Sequence, residues 1–183
     1  MKSFVATALL VALPATMALS GEVPTRNPSP VIKLMANGMT LLKPVFGVEA
    51  KIQASILGAN VDDLEVSQEI AAEVKSSPVV IYTYGLSPFS AEATAILEAT
   101  GCDFKKIEVG AEWFLLGGKD SVKRVLLSEF VDNGATSLPK VFVKGECIGG
   151  CAELAESVSN GQFDELLNKS AGKQKKKGFP FMK

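Results

Sequence analysis

A mixed four-stranded sheet with helices on both faces, an α/β fold, is what the sequence predicts. Two observations carry that reading. Short β-branched apolar runs alternate with amphipathic stretches in the order β-α-β-α-β-β-α over residues 78–168, and such alternation lays helices against both faces of a sheet. The chain has 183 residues, 47% apolar and 21% charged, which is room for one ordinary domain with extensions and excludes a mostly disordered polypeptide. A net charge of −1 gives no overall pull toward nucleic acid, and no specific nucleic-acid partner is expected. Histidine is absent, so His-dependent triads and His-containing zinc sites are excluded. The three cysteines, Cys102, Cys147 and Cys151, are too few for a four-thiolate metal site or a disulfide-built scaffold.

The elements follow in order. Residues 1–20 read as a signal peptide: Lys2 precedes an apolar run from Phe4 to Leu19, broken by Pro14 and ending in Ala18-Leu19-Ser20. Residues 21–38 are acid-poor and carry Pro24, Pro28 and Pro30, a transit-like or linker segment. A leader followed by such a stretch looks like the two-part presequence of algae with complex plastids. Gly21 stands where those presequences carry an aromatic residue, so a linker in an extracellular or lumenal protein stays open. Residues 39–76 form a helical extension. Its first helix spans Thr40 to Gly58 with the stripe Val45, Val48, Ile52 and Ile56; its second opens at Asp62-Asp63 and reaches Lys75 with the stripe Leu64, Ile70 and Val74.

The main domain, residues 77–168, begins with strand 79–83, then a helix over 91–100 stopped by Gly101. A second strand fits 104–109, and a second helix fits 121–132 with Val122, Val125, Leu126 and Phe130 on one face. Strand 140–143, the turn Lys144-Gly145-Glu146 and the short run Cys147-Ile148 come next. Gly149-Gly150 break the chain before a final helix running through Leu167.

Four segments agree in order and spacing with one family: Val79-Val80-Ile81-Tyr82, Ser87-Pro88-Phe89-Ser90, Ser137-Leu138-Pro139-Lys140-Val141-Phe142-Val143 and Ile148-Gly149-Gly150-Cys151. Residues 78–168 resemble a glutaredoxin, which implies a thioredoxin-like fold. The resemblance further implies a cis proline at Pro139, presenting the Leu138 backbone to glutathione or another extended peptide. Gly149 and Gly150 would let the chain approach that ligand closely, and the following helix would offer its first amides to a carboxylate. The ligand-binding set so implied is Tyr84, Ser87, Phe89, Ser137, Leu138, Pro139, Gly149, Gly150, Cys151 and Ala152.

The departures matter equally. The family's motif reads Cys-Pro-Tyr-Cys, or Cys-x-x-Ser in one-thiol members, and its first Cys is the nucleophile; here Ser87 and Ser90 hold the two positions. A hydroxyl stays protonated near neutral pH and forms no mixed disulfide. Tyr84 aligns with a basic residue of the family, and Ala152 brings no polar atom where relatives place Asp or Ser. Ser87 also reads simply as a helix N-cap. Cys151 is the alternative nucleophile, at a helix N-terminus that favours thiolate. Cys147 reads as a small buried apolar residue and Cys102 as exposed or partly so. No metal is expected, and an iron–sulfur cluster of the kind one-thiol relatives share between protomers lacks its nucleophilic Cys.

Two segments exceed a minimal member of the family. Residues 110–120 insert Trp113, Phe114, Leu115 and Leu116, read either as extra core over the sheet edge or as a docking patch for a protein partner. Residues 169–183 hold six lysines and no acid, whereas 78–168 hold 7 basic and 13 acidic side chains. This lysine-rich, disordered tail reads as a solvated arm or as a contact for an anionic surface. Asn168-Lys169-Ser170 matches the glycosylation acceptor pattern. Three functions follow from the sequence: a redox-silent groove for glutathione or a peptide, a glutathione-dependent thiol-disulfide oxidoreductase acting through Cys151, and a non-enzymatic interaction module.

Overall fold

The computed structural model describes residues 47–169. The expected leader, the transit-like stretch, the start of the first helix with Val45, and the tail beyond residue 169 lie outside the described residues. No described helix is long and apolar enough to cross a membrane.

Helix α1 occupies residues 47–57 and α2 spans Asp63–Lys75. Strand β1 is Val79–Thr83, α3 is Pro88–Thr100 and β2 is Lys105–Glu108. A 3-10 turn over Trp113–Leu115 leads into α4, Gly118–Ser128. Strands β3 (Lys140–Val143) and β4 (Glu146–Gly149) precede α5 (Cys151–Ser159) and α6 (Gln162–Asn168). The sheet order is β2-β1-β3-β4, with β1 parallel to β2 and antiparallel to β3, and β3 antiparallel to β4. This is the mixed sheet with helices on both faces that the sequence predicts.

All five β1 residues are buried, because alternate side chains enter two different cores. Val80, Tyr82 and Phe142 face α2 and α4, where Ile70, Val74 and Leu127 cover them. Val79, Ile81, Val141 and Val143 face α3 and α5, under Leu97, Leu154 and Phe163. Tyr82 and Phe130 both meet Phe142 edge to face, with ring centroids 5.7 and 5.3 Å away.

Several elements differ from the sequence reading, each for a physical reason. The final helix is two helices, because Gly161 at φ 81° turns the chain between α5 and α6. Helix α4 starts three residues earlier than expected and ends at Ser128, where successive amides bond three residues back rather than four. The stripe on α2 is Val66, Ile70 and Val74, while Leu64 is exposed; six residues from Leu64 to Ile70 turn the helix by about 240°, off the buried face. The stripe on α1 points to solvent: Val48, Ile52 and Ile56 are 60%, 55% and 70% exposed. The opposite, smaller face packs instead, with Ala50 buried and Gly58 and Gly118 allowing close approach of α1 to α4. In the same way α2, which the sequence placed in an extension ending at 76, contributes Val66, Ile70 and Val74 to the core under the sheet.

Helix α4 is clamped to α2 by charge. Lys123, 7% exposed at its side chain, donates to Glu69 at 2.8 Å and to Glu73 at 3.0 Å, and Lys119 reaches Glu69 at 2.6 Å. The buried Tyr82 hydroxyl donates to Glu73 at 2.8 Å. Hydrogen bonds from Lys119 and then Lys123 hold the Glu69 carboxyl at about 2, well below its usual value. A carboxyl held low in the folded state stabilises above its unfolded pKa and loses that contribution as pH falls toward the folded value. Denaturation midpoints are therefore expected to drop between about pH 4.5 and 2, and Lys119→Ala is expected to flatten that drop. Urea titrations of both chains across this window check it; parallel pH profiles would contradict the clamp.

Candidate functional site

The carboxyl ends of β1, β2 and β4 and the start of β3 meet at one end of the sheet, because Thr83 pairs with Glu108, Tyr82 with Lys140, and Val141 with Gly149. Ser87, Pro139 and Gly149–Cys151 all fall at this end. Ser87 is the N-cap of α3: its Oγ accepts from the Ser90 amide at 3.4 Å, with Pro88 in the first turn where no amide bond is lost. The Ser90 Oγ in turn accepts from the Tyr84 amide at 3.1 Å. Both serines are buried, at 8% and 2%. The N-cap reading of Ser87 is what the geometry shows.

The Leu138–Pro139 bond is cis, as the resemblance implies. Leu138 is buried and its side chain joins the core; Ser137 is exposed, and its carbonyl accepts from the buried Lys140 Nζ at 2.6 Å. Gly150 lies against this loop, since a Cβ there would sit 3.2 Å from the Pro139 carbonyl. Gly149 adopts φ 115°, in the region that favours glycine. The Gly150 amide donates to Glu153 Oε2 at 2.9 Å, a capping pair that folds an acidic side chain over the two glycines. The glycine-x-x-Glu spacing could have revealed it. Phe89 is half-buried against the α3–α5 core, and Ala152 is exposed.

Tyr84 departs from its expected place. Its side chain is 4% exposed, joins Val109, Leu116 and Leu126 in the core, and has a hydroxyl without a hydrogen-bond partner among the described residues. Burial pushes that hydroxyl's pKa up, with Arg124 opposing. Only the Tyr84 backbone remains near Ser87. Cys151 also departs, from the expectation that a helix N-terminus favours thiolate. It is 6% exposed, and burial, then Glu92 and Glu153, push its thiol up to about 12. Cys147 packs on the opposite core and is likewise pushed up by burial, so these two thiols do not share a face. All three cysteines are free, and no three potential metal ligands converge among the described residues. At pH 7.5 the native chain is expected to leave Cys151 unalkylated by iodoacetamide over hours, while denaturant exposes it within minutes. Peptide mapping checks this, and fast native labelling would contradict the burial.

The insertion divides. Leu116 enters the core, whereas Phe114 and Leu115 are exposed. Its first residues pair with the loop before Ser87: the Gly85 amide donates to the Gly110 carbonyl at 2.9 Å and the Leu86 amide to the Ala111 carbonyl at 3.0 Å. The Glu108 carboxylate lies over Gly85, since a Cβ there would fall 2.7 Å from one of its oxygens. These backbone pairings left no pattern in the sequence.

No family model matches the chain. A glutaredoxin of Oryza sativa subsp. japonica is 31% identical over 97 residues, covering 53% of this chain and 80% of that protein. The chain belongs to the glutaredoxin family. This glutaredoxin is also 30% identical over 100 residues to a chloroplastic bifunctional monothiol glutaredoxin of Arabidopsis thaliana, of whose length it spans about a third, 32%. Its fold matches the crystal structure of a buckwheat glutaredoxin–glutathione complex with TM-score 0.50 at 20% identity, over 57% of this chain and 89% of the buckwheat protein.

Proposed function

We propose that this glutaredoxin domain holds glutathione or another extended peptide at the end of the sheet around Ser87, cis-Pro139 and Gly149–Cys151, and does not perform thiol-disulfide exchange. The observation that supports it is the Ser87 hydroxyl, engaged as the α3 N-cap where the family's nucleophilic thiolate would stand. Ligand binding would use the Leu138 backbone and the first amides of α5, which have no partner within the helix. Turnover needs a thiolate that attacks a disulfide sulfur, and neither the Ser87 hydroxyl nor the buried, protonated Cys151 supplies one. An iron–sulfur cluster needs thiolate ligands, so this donor set does not fit one. The leader and the transit-like stretch favour delivery through the secretory route to a plastid, with a lumenal or extracellular destination as the rival outcome.

Calorimetry with reduced glutathione is expected to give a dissociation constant of about a millimolar or tighter, with NMR shifts at Leu138 and Gly150. Reduction of a glutathione mixed disulfide is expected to stay at the uncatalysed rate. Turnover that disappears in Cys151→Ser would make the protein an oxidoreductase instead.

A further inference from the structure

The geometry points to the chain's own basic aromatic segment, residues 173–182, as an occupant of the rim beside Ser87, docked in cis. This rests on the groove reading above and names the ligand chemistry that the groove's surroundings favour.

The rim is apolar where the loop before Ser87 meets the insertion. Leu86 is 71% exposed and Leu115 62% exposed, and the two backbone bonds from Gly85 and Leu86 to Gly110 and Ala111 hold loop and insertion side by side. Phe114, 57% exposed, lies on the same turn. Large exposed apolar side chains on two segments held side by side offer a docking surface.

The charge around that rim is negative. Glu108 sits over Gly85, Glu153 over Gly149 and Gly150, and Glu92 acts on Cys151. None of these three carboxylates makes an ion pair with a cation among the described residues. Lys140, the cation at the start of β3, is buried and bonded to the Ser137 carbonyl. Glutathione meets this rim with mixed sign, its ammonium matched and its two carboxylates left to the first amides of α5. A cationic peptide with aromatic side chains meets it with the matching sign.

Segment 173–182 has that chemistry: Lys173, Lys175, Lys176 and Lys177, then Phe179, Pro180, Phe181 and Met182, with no acid. Pro180 disfavours the helical conformation at Phe179, so the aromatic pair suits an extended binding mode. Helix α6 ends at Asn168, and the ten residues between it and Phe179 span up to about 35 Å when extended. The Lys169 carbonyl accepts from Lys144 Nζ at 2.8 Å, just past the β3 end opposite Lys140. The tether therefore runs nearly extended along a domain of about 14 Å radius of gyration to reach the rim. Tethering supplies an effective concentration of about a millimolar, enough for a modest contact to persist.

The test compares amide NMR spectra of the full chain and of its Phe179→Ala/Phe181→Ala variant. The expected result is a shift at Leu86, Gly110 and Leu115 that does not change on dilution, shrinks in high salt and is absent in Leu115→Ser. Adding a synthetic peptide of residues 172–183 to the double variant is expected to restore the shifts. Superimposable spectra overturn the inference, as do shifts confined to Ile52 and Ile56 of α1. Shifts that fade on dilution overturn the cis contact in favour of a second copy. Should the peptide move Leu86 and Leu115 only in trans, the cis contact fails while the groove stands. Should neither the peptide nor glutathione move Leu138 or Gly150, the groove reading itself fails.

Discussion

Ser87→Cys is expected to turn the chain into a glutathione-dependent reductase, with turnover of a small glutathione mixed disulfide at least about a hundredfold above the native chain. The replaced atom sits at the N-cap of α3, within reach of the Ser90 amide, and the first turn carries no acid to oppose a negative charge. Helix N-termini lower thiol pKa values from about 8.5 to as little as 3.5. At pH 7 an unperturbed thiol is about 3% thiolate, whereas one lowered to about 6 is nearly all thiolate. The introduced thiolate attacks the glutathione sulfur of the mixed disulfide and the substrate leaves as its thiolate. A glutathione thiolate from solution then attacks the sulfur of the bound glutathione, forming oxidised glutathione and expelling the introduced thiolate as the leaving group. Ser90 needs no change, since glutathione itself supplies the second thiol. Alkylation rates against pH give the new thiol's pKa, and an assay with excess glutathione gives turnover. An ionisation near 8.5 with no turnover would mean that the groove no longer admits the ligand.

Arg124→Ala is expected to destabilise the domain by about 3–5 kcal/mol, the range for removing one member of a buried charge network. The Arg124 side chain is 2% exposed. It donates to Glu49 at 3.0 Å and Gln53 at 3.3 Å on α1, and through Nε to the Thr136 carbonyl at 3.2 Å. Its loss leaves these acceptors without that donor and opens a void between α1, α4 and the loop leading to Pro139. For a domain of this size the melting temperature falls by about 3–5 °C per kcal/mol, so a drop of more than about 10 °C is expected. Arg124→Lys should recover little, because an ammonium cannot reproduce the planar fork. Glu49→Gln should be milder, since an amide oxygen still accepts and Glu49 is 30% exposed at its side chain. Thr136 directly precedes Ser137 and Leu138, so glutathione affinity should fall with Arg124→Ala even below the unfolding transition. Calorimetric melting and a binding titration at 15 °C separate the two effects. A shift under about 2 °C would show that α1 docks without this residue.

Much of the site was legible because it is written locally. Ser87 followed by Pro88 predicts a cap and first turn, and the β-branched runs at 79–83 and 140–143 predict the two central strands. The resemblance brings Leu138-Pro139 and Gly149-Gly150 to one end of the sheet, and the structure bears out the cis bond. What failed to show was set by partners far along the chain. The apolar stripe of α1 satisfies helical spacing yet faces outward, because docking on α4 is decided by Arg124 and by two glycines that permit close contact.

By itself, then, the sequence determined the order of strands and helices, the Ser87 hydroxyl that caps α3 and the turn chemistry around Pro139, since each depends on neighbours a few residues away. Only the tertiary structure decided that the Tyr84 side chain enters the core, that burial pushes the Cys151 thiol up, and that Leu86 beside Ser87 stays exposed. Burial and charge are sums over segments that meet only after folding, and no local pattern records them.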